Sequence, residues 1–222
     1  MPLTVRLMRR QDIDQVTAID HDAFPNEWPP TNFPRELDNK MAHYIVVYET
    51  PASDGTALPP TALPEKEPPP SFLNRVRGIF IRNKTTTPAK IEPEETILGF
   101  AGIWLLADEA HITSIASDKN HRHQGIGEAL LVCIVELAQA KHARIVTLEA
   151  RVSNTVAQNL YYKFGFDKLG TRKGYYLDNH EDAVIMSTEY ISSPPYQEKF
   201  KQVKHACVQK VGGIHNQLPV NQ

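Results

Sequence analysis

Two hydrophobic periods follow one another between His111 and Ala140. His111 to Ser117, HITSIAS, is short, rich in Ile and partly alternating, which predicts a strand. From Ile126 onward, Ala129, Leu130, Cys133, Ile134, Leu137 and Ala138 recur every three or four residues, which predicts a helix with one buried face. Between the two periods lies Arg122-x-x-Gly125-x-Gly127. Glycines at a helix start let the backbone approach a ligand, and the unpaired N–H groups of a first turn suit a phosphate. The spacing alone is equally compatible with a plain strand-loop-helix junction. It is not a Walker A loop, since no Gly-Lys-Ser/Thr follows, and it lacks the third glycine of the dinucleotide fingerprint.

The same patterning orders the rest of the chain. Val5 and Leu7 alternate with Thr4 and Arg6 across a first strand, Pro2 to Met8. Asp12, with Gln15 in the capping-box position, predicts the start of a helix buried through Ile13, Val16, Ile19 and Phe24. Four prolines, Pro25, Pro29, Pro30 and Pro34, then break the chain into turns, with a short helix near Asn32 to Asp38. Tyr44 to Tyr48, Ile97 to Leu105 and Ala143 to Ala150 read as strands, with a tight turn at Ala107 to Glu109. Ser153 or Asn154 caps a helix carrying Ala157, Leu160, Tyr161 and Phe164, which Gly165 ends. Two further strands, Phe166 to Arg172 and Ala183 to Tyr190, flank an exposed-looking GYYLDNHED loop. Pro194 and Pro195 are expected to end the regular domain, leaving a poorly periodic short helix at Phe200 to Val211 and a mobile tail after Gly212 and Gly213. The fold class is α/β (α+β mixed), helices flanking a mostly antiparallel mixed sheet of about seven strands.

Composition changes this picture in one place. Nine of the 17 prolines fall between Thr50 and Thr96, so residues of about 50–96 read as an insertion in a single domain, 1–190, with one extra strand at Val76 to Ile81. Residues 191–222 form a C-terminal extension, expected to be partly disordered. A net charge of -2 gives no pull toward nucleic acid or an anionic membrane. No apolar stretch suits a bilayer span or a secretion signal. Two cysteines, Cys133 and Cys207, make neither a disulfide framework nor a zinc cluster, and a cytoplasmic, reducing location fits.

Candidate chemistry is sparse. Glu149 lies near the end of a strand, where a carboxylate raised by burial can take a proton; the bland reading pairs it with Arg144 or Arg151. Tyr161 offers a hydroxyl to a leaving thiolate, or is a core-edge tyrosine. His111 reaches the same cleft only if it faces correctly. His121 and His123 flank the glycine turn without partners for a metal site. Phe24, Trp28 and Phe33 either close one end of the core or rim a substrate site. Tyr175, Tyr176, His180, Glu181 and Asp182 form a polar-aromatic cluster, either a decorated hairpin or a place for a cationic amine.

Taken together, HITSIAS followed by RHQGIG, LEARVSN (Leu148 to Asn154), LYYKFGF (Leu160 to Phe166) and the GYY to EDAVIM segment (Gly174 to Met186) resemble the Gcn5-related N-acetyltransferases (GNAT), in particular the RimI-like and protein N-terminal acetyltransferases. The resemblance implies an acyl-CoA N-acyltransferase fold and acetyl-CoA as cosubstrate. It assigns Arg122, His123, Gln124, Gly125, Ile126, Gly127 and Glu128 to the pyrophosphate, Ile115, Ala116 and Ser117 to the pantetheine arm and acetyl carbonyl, and Asn154 to cofactor holding. Glu149 falls at the general-base position and Tyr161 at the general-acid position, with His111 a secondary base. Phe24, Trp28, Tyr175 and Tyr176 would shape the acceptor site. The implied acceptor is a protein N-terminal α-amine, the N-terminal alanine of ribosomal protein bS18 being one candidate. A lysine or small-molecule acetyltransferase and a catalytically weak acetyl-CoA-binding module are the alternatives. Ala150 stands where the family usually has valine, and the proline-rich insertion bears on substrate access.

Overall fold

The computed structural model describes residues 2–26, 29–49 and 95–220. The proposed strand at Val76 to Ile81 and the side chain of Trp28 lie outside them. Eight strands, β1 (Leu3–Leu7), β2 (Ala42–Glu49), β3 (Thr96–Leu106), β4 (Glu109–Ser117), β5 (Ile145–Arg151), β6 (Phe166–Arg172), β7 (Ala183–Thr188) and β8 (Ile214–Asn216), form one sheet in the order β6-β7-β5-β4-β3-β2-β1-β8. The pairings β4 with β5 and β1 with β8 are parallel; the others are antiparallel.

Alternation along the strands divides the core between the two faces. On β2, Ile45 and Val47 point to one face, where α3 (Ile126–Ala140), α4 (Thr155–Lys163) and α5 (Pro194–Val211) supply Leu130, Ile134, Tyr161, Tyr196 and Phe200. Tyr44, Val46 and Tyr48 point to the other, against Val16 and Ile19 of α1 (Ile13–Ala23) and Phe33 of α2 (Phe33–Asp38).

Three expectations need correction. Asp12 precedes α1 but makes no side-chain cap. Its carboxylate instead takes 2.7 and 2.9 Å bonds from the buried guanidinium of Arg6, and Gln15 turns away to donate to Glu95 O and accept from Ile97 N. Helix α3 is buried almost all round, Leu131, Val132 and Val135 included, because α5 packs on the side away from the sheet. The regular structure also continues past Pro194 and Pro195. Proline has no N–H to lose in a first turn and its φ is already helical, so the pair starts α5 behind the cap of Ser193. Tyr196, Phe200, Cys207 and Val211 make its buried stripe, and Gly212, at φ 73°, ends it. The following residues add β8 to the sheet edge, with Leu3 opposite Ile214.

Candidate functional site

Strands β4 and β5 pair only from Glu109↔Ile145 to Ile112↔Leu148. Among the described residues they then separate: β4 continues on β3 to Ser117, and β5 continues on β7 to Arg151. The two strands therefore leave facing main-chain edges on either side of a wedge. A cavity of about 960 Å³ opens here, lined by Ile112 to Ile115, Leu148 to Arg151, Asn154 and Tyr161, and walled by the segment after α1 and the 174–182 loop.

At the base of the wedge five side chains are linked in series. Glu149, 8% exposed, holds His111 Nε2 at 3.1 Å through Oε2 and Arg172 at 3.0 Å through Oε1. His111 Nδ1 lies 2.9 Å from Thr147 Oγ1, and the Thr147 hydroxyl donates to Glu109. The spacing follows from the pleat: residues 109 and 111 share a face of β4, residues 147 and 149 share the same face of β5, and His111 is the register partner of Thr147. Burial does not raise Glu149. The hydrogen bond from His111, with the charges of His111 and Arg172, outweighs desolvation and holds its carboxyl below the usual range. Neither Arg144 nor Arg151 is its partner. Arg144 pairs with Asp108 at 3.1 Å and Arg151 with Asp178 and Glu181.

Tyr161 borders the same cavity from α4, and burial pushes its phenol up. It therefore stays protonated at neutral pH, a hydrogen-bond donor rather than a ready source of a free proton.

The 174–182 loop is tied down rather than merely exposed. Arg151 makes two 3.0 Å bonds to Asp178, one of 3.2 Å to Glu181 and one of 3.1 Å to Asn179, and its guanidinium lies 3.8 Å from the centre of the Tyr176 ring. Glu181 is pushed down to about 2 by its bonds from Ser153 and then Arg151 and Asn179. Tyr175 meets Tyr176 edge-on at 5.2 Å, and both line the cavity. Phe24 lines the opposite wall, together with Glu36, whose carboxylate takes a 2.7 Å bond from the Trp104 indole.

At the far end of β4 the chain turns through Asp118 to Gln124 into α3. Gly125 caps the helix at φ 85° without any side-chain cap bond, so the first N–H groups of a 15-residue helix face outward. A Cβ on Gly125 would meet Val211 Cγ1 at 2.6 Å, and φ itself bars most side chains. Arg122, His123 and Gln124 are exposed beside it. Glu128 would oppose an anion, but Lys163 at 2.6 Å and Lys210 at 2.8 Å hold its carboxylate, leaving its N–H as the useful group. Ile115 reaches the cavity, whereas Ala116 is buried against β3 opposite Phe100 and Ser117 lies opposite Gly99. Asn154 spends its side-chain oxygen on capping α4, at 3.1 Å from Ala157 N. The wedge edge and the uncapped helix start thus fit a long thioester carrying phosphates.

The fold brings Glu149, His111, Tyr161, Tyr175 and Tyr176 to one cavity, but the sequence pattern gives no sign of Thr147, Glu109 or Arg172 there, nor of Arg151 as the anchor of the loop. Thr147 and Glu109 sit two residues from Glu149 and His111, a face-sharing spacing that becomes informative only once the two strands are known to be neighbours. Arg172 comes from β6, two strands away in the sheet order, where only topology places it.

Among the described residues no helix is long and apolar enough to cross a membrane. The acetyltransferase (GNAT) family model matches residues 56–166. A protein of Bacillus subtilis (strain 168), provisionally named a ribosomal protein bS18-alanine N-acetyltransferase, is 37% identical over 82% of this chain and 92% of its own length. The ribosomal protein bS18-alanine N-acetyltransferase of Escherichia coli (strain K12) is 37% identical over 40% of this chain and 61% of its own. The crystal structure of Ard1 from Thermoplasma volcanium superposes with a TM-score of 0.59 at 19% identity, covering 86% of this chain and 99% of that one.

Proposed function

The chain belongs to the acetyltransferase (GNAT) family and is an N-acetyltransferase that uses acetyl-CoA, and we propose that its acceptor is the N-terminal α-amine of a protein, the N-terminal alanine of ribosomal protein bS18 or a similar small residue. The observation that carries this reading is the pair of buried Glu149 and half-buried His111 at the apex of the wedge, in a cavity walled by Phe24, Tyr175 and Tyr176. The relatives named for bS18 alanine support the acceptor. Such an acceptor places the protein in the cytoplasm, with the ribosome.

Acetyl-CoA supplies the activated acetyl group as a thioester. The N–H groups from Gly125 to Glu128, with Arg122, His123 and Gln124 beside them, would hold its pyrophosphate, and the free edge of β4 at Ile115 to Ser117 its extended arm. Asn154 stands at the cavity edge, where it orders the α4 terminus beside that arm. Glu149 and His111 take the proton from the incoming ammonium, so that the free amine attacks the thioester carbonyl. Main-chain donors on the unpaired edge stabilise the charge that develops on oxygen. Tyr161 directs its hydroxyl at the departing sulfur. Tyr175, Tyr176 and Phe24 would flank the acceptor's first residues.

A peptide library incubated with the protein and acetyl-CoA, and read by mass spectrometry, tests the acceptor. Peptides beginning with Ala or Ser should gain an acetyl group on the α-amine. Modification confined to internal lysines or to polyamines would reject it.

A further inference from the structure

Glu149 lines the cavity, yet its side chain is only 8% exposed, because neighbours cover it. His111 holds Oε2 at 3.1 Å from β4, and Arg172 Nη1 lies 3.0 Å from Oε1. Tyr176 stands near enough in the loop to interact with the same charge. An ammonium that is to touch this carboxylate therefore has to move one of the three.

They are not equally held. His111 sits on a central strand and is tied at its other ring nitrogen to Thr147, at 2.9 Å. Tyr176 carries the Arg151 guanidinium 3.8 Å from its ring centre, and its N–H bonds Glu181 O at 3.1 Å. Arg172 is the last residue of the edge strand β6, and its side chain is 55% exposed. Beyond Glu149 its guanidinium meets the Tyr175 ring, 5.6 Å from the centre, a contact it can keep when it leaves the carboxylate. His111 acts on Glu149 through a hydrogen bond and through charge, Arg172 through charge alone. Arg151, the arginine that lines the cavity, is not available for exchange, since Asp178, Asn179 and Glu181 hold it.

Resting on the α-amine reading above, we infer that Glu149 Oε1 is the subsite for the acceptor's ammonium and that Arg172 is a specificity-determining residue, a stand-in cation that occupies Oε1 until the acceptor displaces it. Before the acceptor arrives, Arg172 keeps a buried carboxylate paired. Oε2 stays with His111 throughout. The exchange is nearly even, because a half-exposed ion pair contributes little and the guanidinium moves to solvent and the Tyr175 ring. A neutral N-terminus has no charge to offer in return. The acetylated product therefore yields Oε1 back to Arg172, which favours its release.

The test compares two peptides of one sequence, one with a free N-terminal Ala and one N-acetylated. Both are titrated by calorimetry into the full chain saturated with CoA at about pH 6.5, where an α-amine is protonated. Arg172→Met keeps much of the stem and removes the charge. Its affinity for the free-amine peptide should rise about fivefold, the scale of a half-exposed ion pair, with no change for the acetylated peptide. Arg172→Lys should bind both as the wild type does. In nitrogen-15 spectra of the arginine-labelled wild type, the Arg172 Nε resonance, identified by its loss in Arg172→Met, should move on adding the free-amine peptide and stay on adding the acetylated one. Affinities that are unchanged, or raised equally for both peptides, would overturn the inference. So would a loss for the free-amine peptide, which would make Arg172 a support of Glu149, or an Arg172 resonance indifferent to the amine. Absence of α-amine acetylation by the wild type would reject the acceptor reading instead; the same comparison, made with whichever amine is acetylated and its amide, then tests the exchange at Oε1.

Discussion

A carboxylate can serve proton transfer either by having a raised pKa or by tuning a neighbour, and Glu149 is of the second kind. His111 and Arg172 hold it below the usual range, so it remains ionised throughout neutral pH. Acetylation activity should therefore show no loss from protonation of Glu149 as pH falls through the neutral range. Glu149→Gln keeps the shape but removes the charge that stabilises the imidazolium, and it leaves Arg172 without its carboxylate. Turnover should fall by about 100-fold while acetyl-CoA affinity, measured by calorimetry, stays at the wild-type value. An equal loss in both quantities would place Glu149 in cofactor binding instead. The position of Glu149 was legible from the residues, as a lone acid after Ile145, Val146 and Leu148. Its depressed pKa was not, because the two partners responsible, His111 and Arg172, come from β4 and β6.

At the scale of elements, the 174–182 loop owes its position to one side chain. Arg151 leaves the end of β5 on the same face as Glu149 and gathers Asp178, Asn179, Glu181 and the Tyr176 ring. Arg151→Met removes every one of those bonds and keeps much of the apolar stem. The loop should then loosen and the KM for peptide rise about tenfold, some 1.4 kcal/mol, with little change in acetyl-CoA binding. The sign of the pH effect follows from the carboxylates. Asp178 and Glu181 have folded-state values below the ordinary carboxylate range, so their contribution is complete above that range and is lost only as pH falls through the folded values, about 2 for Glu181. Loop docking, followed by the ring resonances of Tyr175 and Tyr176, should persist at pH 5 and fail near pH 2. The loop was visible in the sequence as a polar-aromatic cluster. Its anchor was not, since Arg151 lies more than twenty residues earlier on another strand. Helix α5 shows a signal that was present and misread. Leu131, Val132 and Val135 make α3 apolar outside its main stripe, and a helix apolar all round requires a cover on both sides. That demand, with a Ser-Pro-Pro start at Ser193, specifies the covering helix.

Across the whole molecule, the strand positions and most helix boundaries follow from short-range period and punctuation, whereas the strand order and the long-range ion pairs depend on which distant segments the sheet brings together. The clearest case is Arg6. Its guanidinium is 4% exposed, lies 4.8 Å from the centre of the Tyr48 ring and bonds both Asp12 and Glu95, tying β1, the start of α1 and the residue that leads into β3. Local pattern reads Asp12 as a helix cap; the fold uses it as a counterion, because a buried guanidinium without one is far more costly than a helix start without a side-chain cap. Removing the charge while keeping the shape separates the two roles. Asp12→Asn can still accept from Arg9 N but leaves the Arg6 charge with Glu95 as its remaining carboxylate partner, so unfolding free energy should fall by about 3 kcal/mol. A cap loss by itself would cost about 1 kcal/mol. Urea denaturation distinguishes them through a lowered midpoint at unchanged m. His111 lies toward the other end of β3 and β4, opposite Trp104, so turnover at low temperature and saturating acetyl-CoA, where the variant remains folded, should match the wild type.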